Sequence, residues 1–120
     1  MMQKRIKNIN KIINNPIKTQ NKVLDYLISK GRKTQFGIEH QFDNIIDYHS
    51  FKKQIPIRTY DELSPYIDKA RNGAKNVLWP GKIKWFAKSS GTTDSKSKFI
   101  PISKESLYNC HFKGGKDMLS

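Results

Sequence analysis

Cysteine and acidic residues are scarce in this chain, and arginine is scarcer than the positive charge implies. Cys110 is the one cysteine among 120 residues. A lone cysteine closes no internal disulfide and builds no four-ligand zinc site. It lies at an apolar position of helical spacing, so an inert, buried thiol is expected. Long apolar runs are missing as well. Nothing approaches the ~20 consecutive apolar residues that span a bilayer. Met1 to Pro16 is basic but lacks the continuous apolar centre of a signal peptide. A cytoplasmic setting with no membrane partner is the expectation.

Acids number 10 against 23 basic residues, for a formal charge of +13. Residues 1–33 alone carry nine basic residues against Asp25, a surplus of eight. Such a surplus suits nucleic acid or another polyanion. Only four of the basic residues are arginine, however, and the other 19 are lysine. Specific nucleic-acid readers rely on the bidentate guanidinium. Composition therefore weakens a nucleic-acid role and leaves a small basic nucleic-acid or anion-binding module as the alternative reading.

Two familiar nucleotide and hydrolase signatures are also absent. No glycine precedes Lys96 or Lys98 at Walker A spacing, and Gly114-Gly115-Lys116 is followed by Asp117 rather than Ser or Thr. No Gly-x-Ser-x-Gly elbow occurs. What is present is Ser89-Ser90-Gly91-Thr92-Thr93-Asp94-Ser95-Lys96-Ser97-Lys98, hydroxyls crowded around one glycine with lysines behind them. Ile83-Lys84-Trp85-Phe86-Ala87 precedes it and Phe99-Ile100-Pro101-Ile102 follows. Both flanks read as short strands, which makes the polar run a loop between them. Hydroxyls and loop amides donate to phosphate oxygens, lysine supplies charge, and Gly91 permits close backbone approach. Composition alone is equally satisfied by a solvated hairpin turn.

The rest of the chain reads as mostly helical. Ile6, Ile9, Ile13 and Ile17 recur near helical spacing, a stripe expected to pack on the domain, with Pro16 interrupting. A second helix to Lys30 is expected to bury Val23, Leu24, Leu27 and Ile28, with Gly31 as its stop. Asp47 caps a short helix ending near Gln54, and Thr59 with Glu62 has capping-box form for a helix that Gly73 ends. Trp79-Pro80-Gly81 turns the chain toward the strand–loop–strand unit. Ser103 then caps a helix from Lys104 to Leu119, with Leu107, Cys110 and Met118 as its inner face and Gly114-Gly115 marking close packing or a kink. Trp79, Trp85 and Phe86 read as core residues. His40, His49 and His111 have no acid–base partner at useful spacing.

The loop resembles the first nucleotide-binding motif of the adenylate-forming enzymes, Ser/Thr-Ser-Gly-Thr-Thr/Ser followed by Lys. The surrounding runs are more specific. Phe36-Gly37-Ile38-Glu39-His40, Ile55-Pro56-Ile57-Arg58-Thr59-Tyr60, Leu78-Trp79-Pro80-Gly81, Trp85-Phe86-Ala87-Lys88, Lys98-Phe99-Ile100-Pro101 and Lys113-Gly114-Gly115-Lys116-Asp117 resemble, in order, the Gretchen Hagen family of acyl acid amido synthetases, also called the auxin-responsive promoter family. That resemblance implies an α/β fold: the N-terminal fragment of a large adenylating domain, several helices followed by a β-hairpin-like unit and a helix. Its expected parts are helical 1–72, strand–loop–strand 83–102 and helix 104–120. Family enzymes run to several hundred residues, and Ser120 falls inside the last helix without a stop signal, so a fragment is expected.

The resemblance further implies an ATP-dependent ligase that adenylates a carboxylic acid and passes the acyl group to an amine or amino acid. ATP and Mg²⁺ are the implied cofactors. Ser89, Ser90, Gly91, Thr92, Thr93 and Lys98 are the implied ATP-binding residues. Family members often carry glycine at the place of Asp94 or Ser95; this loop has none after Gly91. Residues gripping the base and the acyl group would lie past Ser120, so the fragment alone is expected to be inactive. No catalytic residue is assigned.

Overall fold

The computed structural model describes residues 2–91 and 96–118, with side chains from residue 5 onward. Helices occupy most of the chain up to Arg71: α1 (Met2–Asn14), α2 (Pro16–Gly31), α3 (Gln35–Glu39), a 3₁₀ turn (Phe42–Asn44), α4 (Tyr48–Gln54) and α5 (Tyr60–Arg71). Two antiparallel strands follow, β1 (Trp85–Lys88) and β2 (Phe99–Ile102), then α6 (Lys104–Ser106), a π-helical segment (Leu107–Phe112) and α7 (Lys113–Met118). The fold is α/β in the mixed sense expected.

Local chemistry accounts for the helix ends. Pro16 cannot donate to α1 and takes the first position of α2, where no donor is needed. The Asp47 carboxylate accepts from the Ser50 amide at 2.7 Å, and the Ser50 hydroxyl receives the Asp47 amide at 3.0 Å. The Thr59 hydroxyl receives the Glu62 amide at 3.4 Å, while the Glu62 carboxylate receives the Thr59 amide at 2.6 Å. Pro65 inside α5 offers no N–H to the Asp61 carbonyl four residues back, and the Ser64 hydroxyl donates to it instead at 2.8 Å. Ser103 caps α6 by accepting from the Ser106 amide.

Ile28, Ile45, Ile67, Ala70, Val77 and Ile83 form the buried apolar core, joined by Thr34 and His40. Thr34 locks the α2–α3 corner. Its hydroxyl donates to the Gly31 carbonyl at 2.7 Å and accepts from the Gly37 amide at 3.0 Å. The Gln35 and Phe36 amides donate to the Asn76 and Val77 carbonyls, tying the turn before β1 to the same corner. That turn needs Gly81, whose φ of +82° suits a residue without Cβ.

Several apolar positions lie elsewhere than expected. The isoleucine stripe is open to solvent, from Ile9 at 42 % to Ile17 at 72 %. Of the four apolar residues of α2 expected to be buried only Ile28 is; Leu24 is half-buried, and Val23 and Leu27 are exposed. Helical spacing selects a face, but that face is buried only where another element lies opposite. Trp85, read as core, is exposed, because it belongs to a two-stranded sheet with that face uncovered. Cys110 is likewise exposed. The wider turn of the π-helical segment breaks the three-to-four spacing that put Cys110 on the face of Leu107. Met118 is exposed, and a Cβ at Gly114 or Gly115 would meet nothing, so neither glycine marks close packing.

The caps make the fold acid-sensitive in a defined direction. The Thr59 amide holds the Glu62 carboxyl below its ordinary value, and the Ser50 amide does the same for Asp47. The Tyr66 hydroxyl, then Gln35, lowers Glu39; the same bond raises the Tyr66 phenol. As pH falls the unfolded chain therefore takes up these protons first. The contribution is complete above the ordinary carboxylate range, about pH 4, and disappears as pH drops through the lowered folded values. Asp47→Asn, which keeps the acceptor without the titration, should flatten the acid limb of stability measured by urea unfolding. An unchanged slope would remove Asp47 from that account.

Candidate functional site

The β1–β2 hairpin pairs Trp85 with Ile102 and Lys88 with Phe99. One further rung closes the loop. The Ser89 amide donates to the Lys98 carbonyl at 2.9 Å, and the Lys98 amide donates to the Ser89 hydroxyl at 3.1 Å. The loop thus begins and ends at a fixed base, set by the same two residues that bound the motif in the sequence. Ser89, one of the expected ligand residues, spends its hydroxyl as an acceptor inside that base. Ser90 and Gly91 stand exposed just above it, and Lys98 is exposed at the other side. Thr92 and Thr93 lie outside the described residues, as do Asp94 and Ser95.

Among the described loop residues, Lys88 to Gly91 and Lys96 to Lys98, hydroxyls and ammonium groups stand without a carboxylate. Donors and positive charge gathered at the closed base of the loop suit an anion with several oxygens. No group of three or more His, Cys, Asp or Glu able to hold a metal ion occurs among the described residues. Hydroxyl and amide donors of this kind fit a metal-bound polyphosphate through its oxygens, with the metal held by the phosphates.

The hairpin is anchored from the helical side by residues that sequence reasoning left without a role. Tyr60, the first residue of α5, reaches the outer edge of β2. Its hydroxyl accepts from the Phe99 amide at 2.9 Å and donates to the Phe99 carbonyl at 3.3 Å. The Lys98 ammonium lies 5.6 Å from the centre of the Tyr60 ring, and the Arg71 guanidinium lies 3.8 Å from that of Phe99. Behind Tyr60, Arg58 donates to His40 Nε2 at 2.8 Å, which leaves the Nδ1 proton to the Phe36 carbonyl at 2.8 Å. His40 stacks on Phe36 with ring centres 3.9 Å apart. His40, without an evident partner in sequence, is thus a core histidine bracing the segment that carries Tyr60. The run Ile57-Arg58-Thr59-Tyr60 was the available signal, but spacing gives no hint of contacts 18 and 39 residues away.

A groove of about 680 Å³ lies between α2 and the C-terminal helical segments. Val23, Leu27, Trp79, Ile83 and Pro101 line it, and Cys110 stands at its wall. Trp79, half-buried, donates from its indole N–H to Glu105 at 3.1 Å. None of the loop residues lines this groove. No described helix is long and apolar enough to cross a membrane.

Known proteins similar to this chain place these features in a wider frame. Residues 5–119 match the family model described as the GH3 family N-terminal domain. An indole-3-acetic acid-amido synthetase of Arabidopsis thaliana is 31% identical over 105 residues, covering 87% of this chain and 19% of that protein. A 4-substituted benzoates-glutamate ligase of the same plant is 30% identical over 107 residues, covering 88% and 18%. A jasmonoyl-L-amino acid synthetase of Nicotiana attenuata is 34% identical over 89 residues, covering 73% and 15%. The chain spans less than a fifth of the length of these curated relatives.

Proposed function

The chain belongs to the GH3 family through that N-terminal domain, and on this premise we propose that it is the N-terminal part of an ATP-dependent acyl acid amido synthetase. The observation that carries the proposal is the closed hairpin loop, Ser89 to Lys98, seated within a family match that runs nearly end to end. In this reading a carboxylic acid is adenylated by ATP with release of pyrophosphate, and an amine or amino acid then takes the acyl group with release of AMP. Relatives named for indole-3-acetic acid, benzoates or jasmonate support a carboxylic acid and an amino acid as the substrate class. The particular acid and amine of this protein are not assigned. A cytoplasmic enzyme fits this chemistry.

The residues divide the work. Ser89 fixes the loop base through its backbone and hydroxyl. Ser90, Thr92 and Thr93, with the amides around Gly91, donate to the β- and γ-phosphate oxygens. Lys98 adds positive charge where pyrophosphate develops as a leaving group. Mg²⁺ bound with the nucleotide would supply further neutralisation of phosphate charge. The first step then depends on positioning and charge neutralisation, which a loop closed at its base provides.

Two proteins make the test. The family-length enzyme carrying this segment should exchange labelled pyrophosphate into ATP only when a carboxylic acid is supplied. The 120-residue chain alone should not, since base and acyl contacts are expected from the remaining four fifths of a family member. Acid-dependent exchange by the purified 120-residue chain, above that of a loop variant, would contradict the division of labour proposed here.

A further inference from the structure

We propose that Tyr60 is a positioning residue for the loop cation, holding Lys98 in register for an anionic ligand through both its hydroxyl and its ring. This rests on the reading of the loop as a phosphate clamp. The hydroxyl meets both main-chain polar groups of Phe99, at 2.9 and 3.3 Å, so it fills the place that a neighbouring strand would take on the open edge of β2. Phe99 directly follows Lys98, whose own amide and carbonyl are spent on Ser89. The Lys98 backbone is thereby gripped from Ser89 on one edge and, through Phe99, from Tyr60 on the other. The ring adds a second constraint, because the ammonium lies 5.6 Å from its centre, within cation–π range. A free lysine side chain samples many rotamers, and a ring at its side narrows that sampling before ligand arrives.

Tyr60 is itself held. Thr59 caps α5 immediately before it, and Arg58 is hydrogen-bonded to buried His40 at 2.8 Å. The core histidine therefore fixes Arg58, two residues before Tyr60, and Tyr60 in turn meets Phe99 and the Lys98 ammonium.

Tyr60→Phe removes the hydroxyl and keeps the ring; Tyr60→Leu removes both. In the family-length enzyme, pyrophosphate exchange gives KM for ATP and for the acid separately, and thermal unfolding gives Tm. Tyr60→Phe should raise the ATP KM about threefold to tenfold with the acid KM unchanged and only a small fall in Tm, because the Phe99 amide and carbonyl lose a partner at the sheet edge, and Tyr60→Leu should raise it further. Added to Lys98→Ala, either substitution should change the ATP KM no more, since the group being positioned is gone. An unchanged ATP KM in Tyr60→Phe, or an equal rise for both substrates with a lower Tm, overturns the proposal. If Lys98→Ala still raises the ATP KM in that case, the phosphate reading survives without it. If Lys98→Ala leaves the ATP KM unchanged, both readings fall.

Discussion

Replacing Lys98 by alanine in the family-length enzyme should weaken ATP use about tenfold to a hundredfold. The figure follows from losing one charge-assisted hydrogen bond to phosphate, worth about 1.5–3 kcal/mol. Replacing Ser90 and Thr92 together by alanine should have an effect of the same order. The loss should fall on the ATP-dependent step, because in the proposed reaction the β- and γ-phosphates that Lys98 would meet have left as pyrophosphate before the amide forms. Stability should hardly change with Lys98→Ala, since the side chain is exposed and its contact with the Tyr60 ring is a surface one. Ser89→Ala is a different experiment. Its hydroxyl closes the loop base, so that variant should disturb loop closure as well as ligand binding. Loop variants that melt early yet keep unaltered ATP kinetics would make the loop a structural turn.

Gly37→Ala should strongly destabilise this fold. A Cβ there would overlap the Gly31 carbonyl oxygen, and would lie 2.8 Å from the Gly31 carbonyl carbon and 3.2 Å from Arg32 Cα. Every one of these neighbours is backbone, so no side chain can swing aside. The α2–α3 corner would have to open, and with it the Thr34 hydroxyl would lose its Gly31 and Gly37 partners in a fully buried setting. Overpacking of this kind costs about 1–3 kcal/mol and a lost cap about 1 kcal/mol more. Against a total stability of about 5–15 kcal/mol, that is a large share. Gly114→Ala is the control. Its Cβ meets nothing within 4 Å, and a helical alanine should stabilise by about 0.5–1 kcal/mol. Urea midpoints moving in opposite directions are expected. Equal midpoints for Gly37→Ala and the unsubstituted protein would mean that the corner is not as tight as described.

Features written in short-range chemistry were legible in the sequence. The Thr59–Glu62 box, the Asp47 and Ser103 caps, the Pro16 break and the two strands around the polar loop each depend on residues within a few positions of one another. The burial pattern was less legible. Spacing identified the isoleucine stripe of α1, the apolar side of α2 and Trp85 as apolar faces, yet what lies opposite them is a long-range matter. Cys110 went wrong for a local reason, because a π-helical turn changes the residue spacing and no composition rule announced it. In the candidate site, the loop ends at Ser89 and Lys98 were readable from the change between apolar and polar residues. The anchors Tyr60, Arg71, Arg58 and His40 were not, since their contacts join segments far apart in the chain. The capping role of Thr59 drew notice to that helix start, while the residue beside it carried the hairpin.

Whether nucleotide phosphates reach Lys98 can be read chemically. Brief acetylation of the family-length enzyme, followed by mass spectrometry, reports the reactivity of each lysine separately. Saturating ATP with Mg²⁺ should slow acetylation of Lys98 severalfold. Adenosine, which has no phosphates, should leave it unchanged. Exposed lysines away from the hairpin, such as Lys52 and Lys69, serve as internal references and should react equally in all three conditions. Protection of Lys98 by ATP and not by adenosine is the result this account predicts. Equal labelling of Lys98 with and without saturating ATP would contradict it.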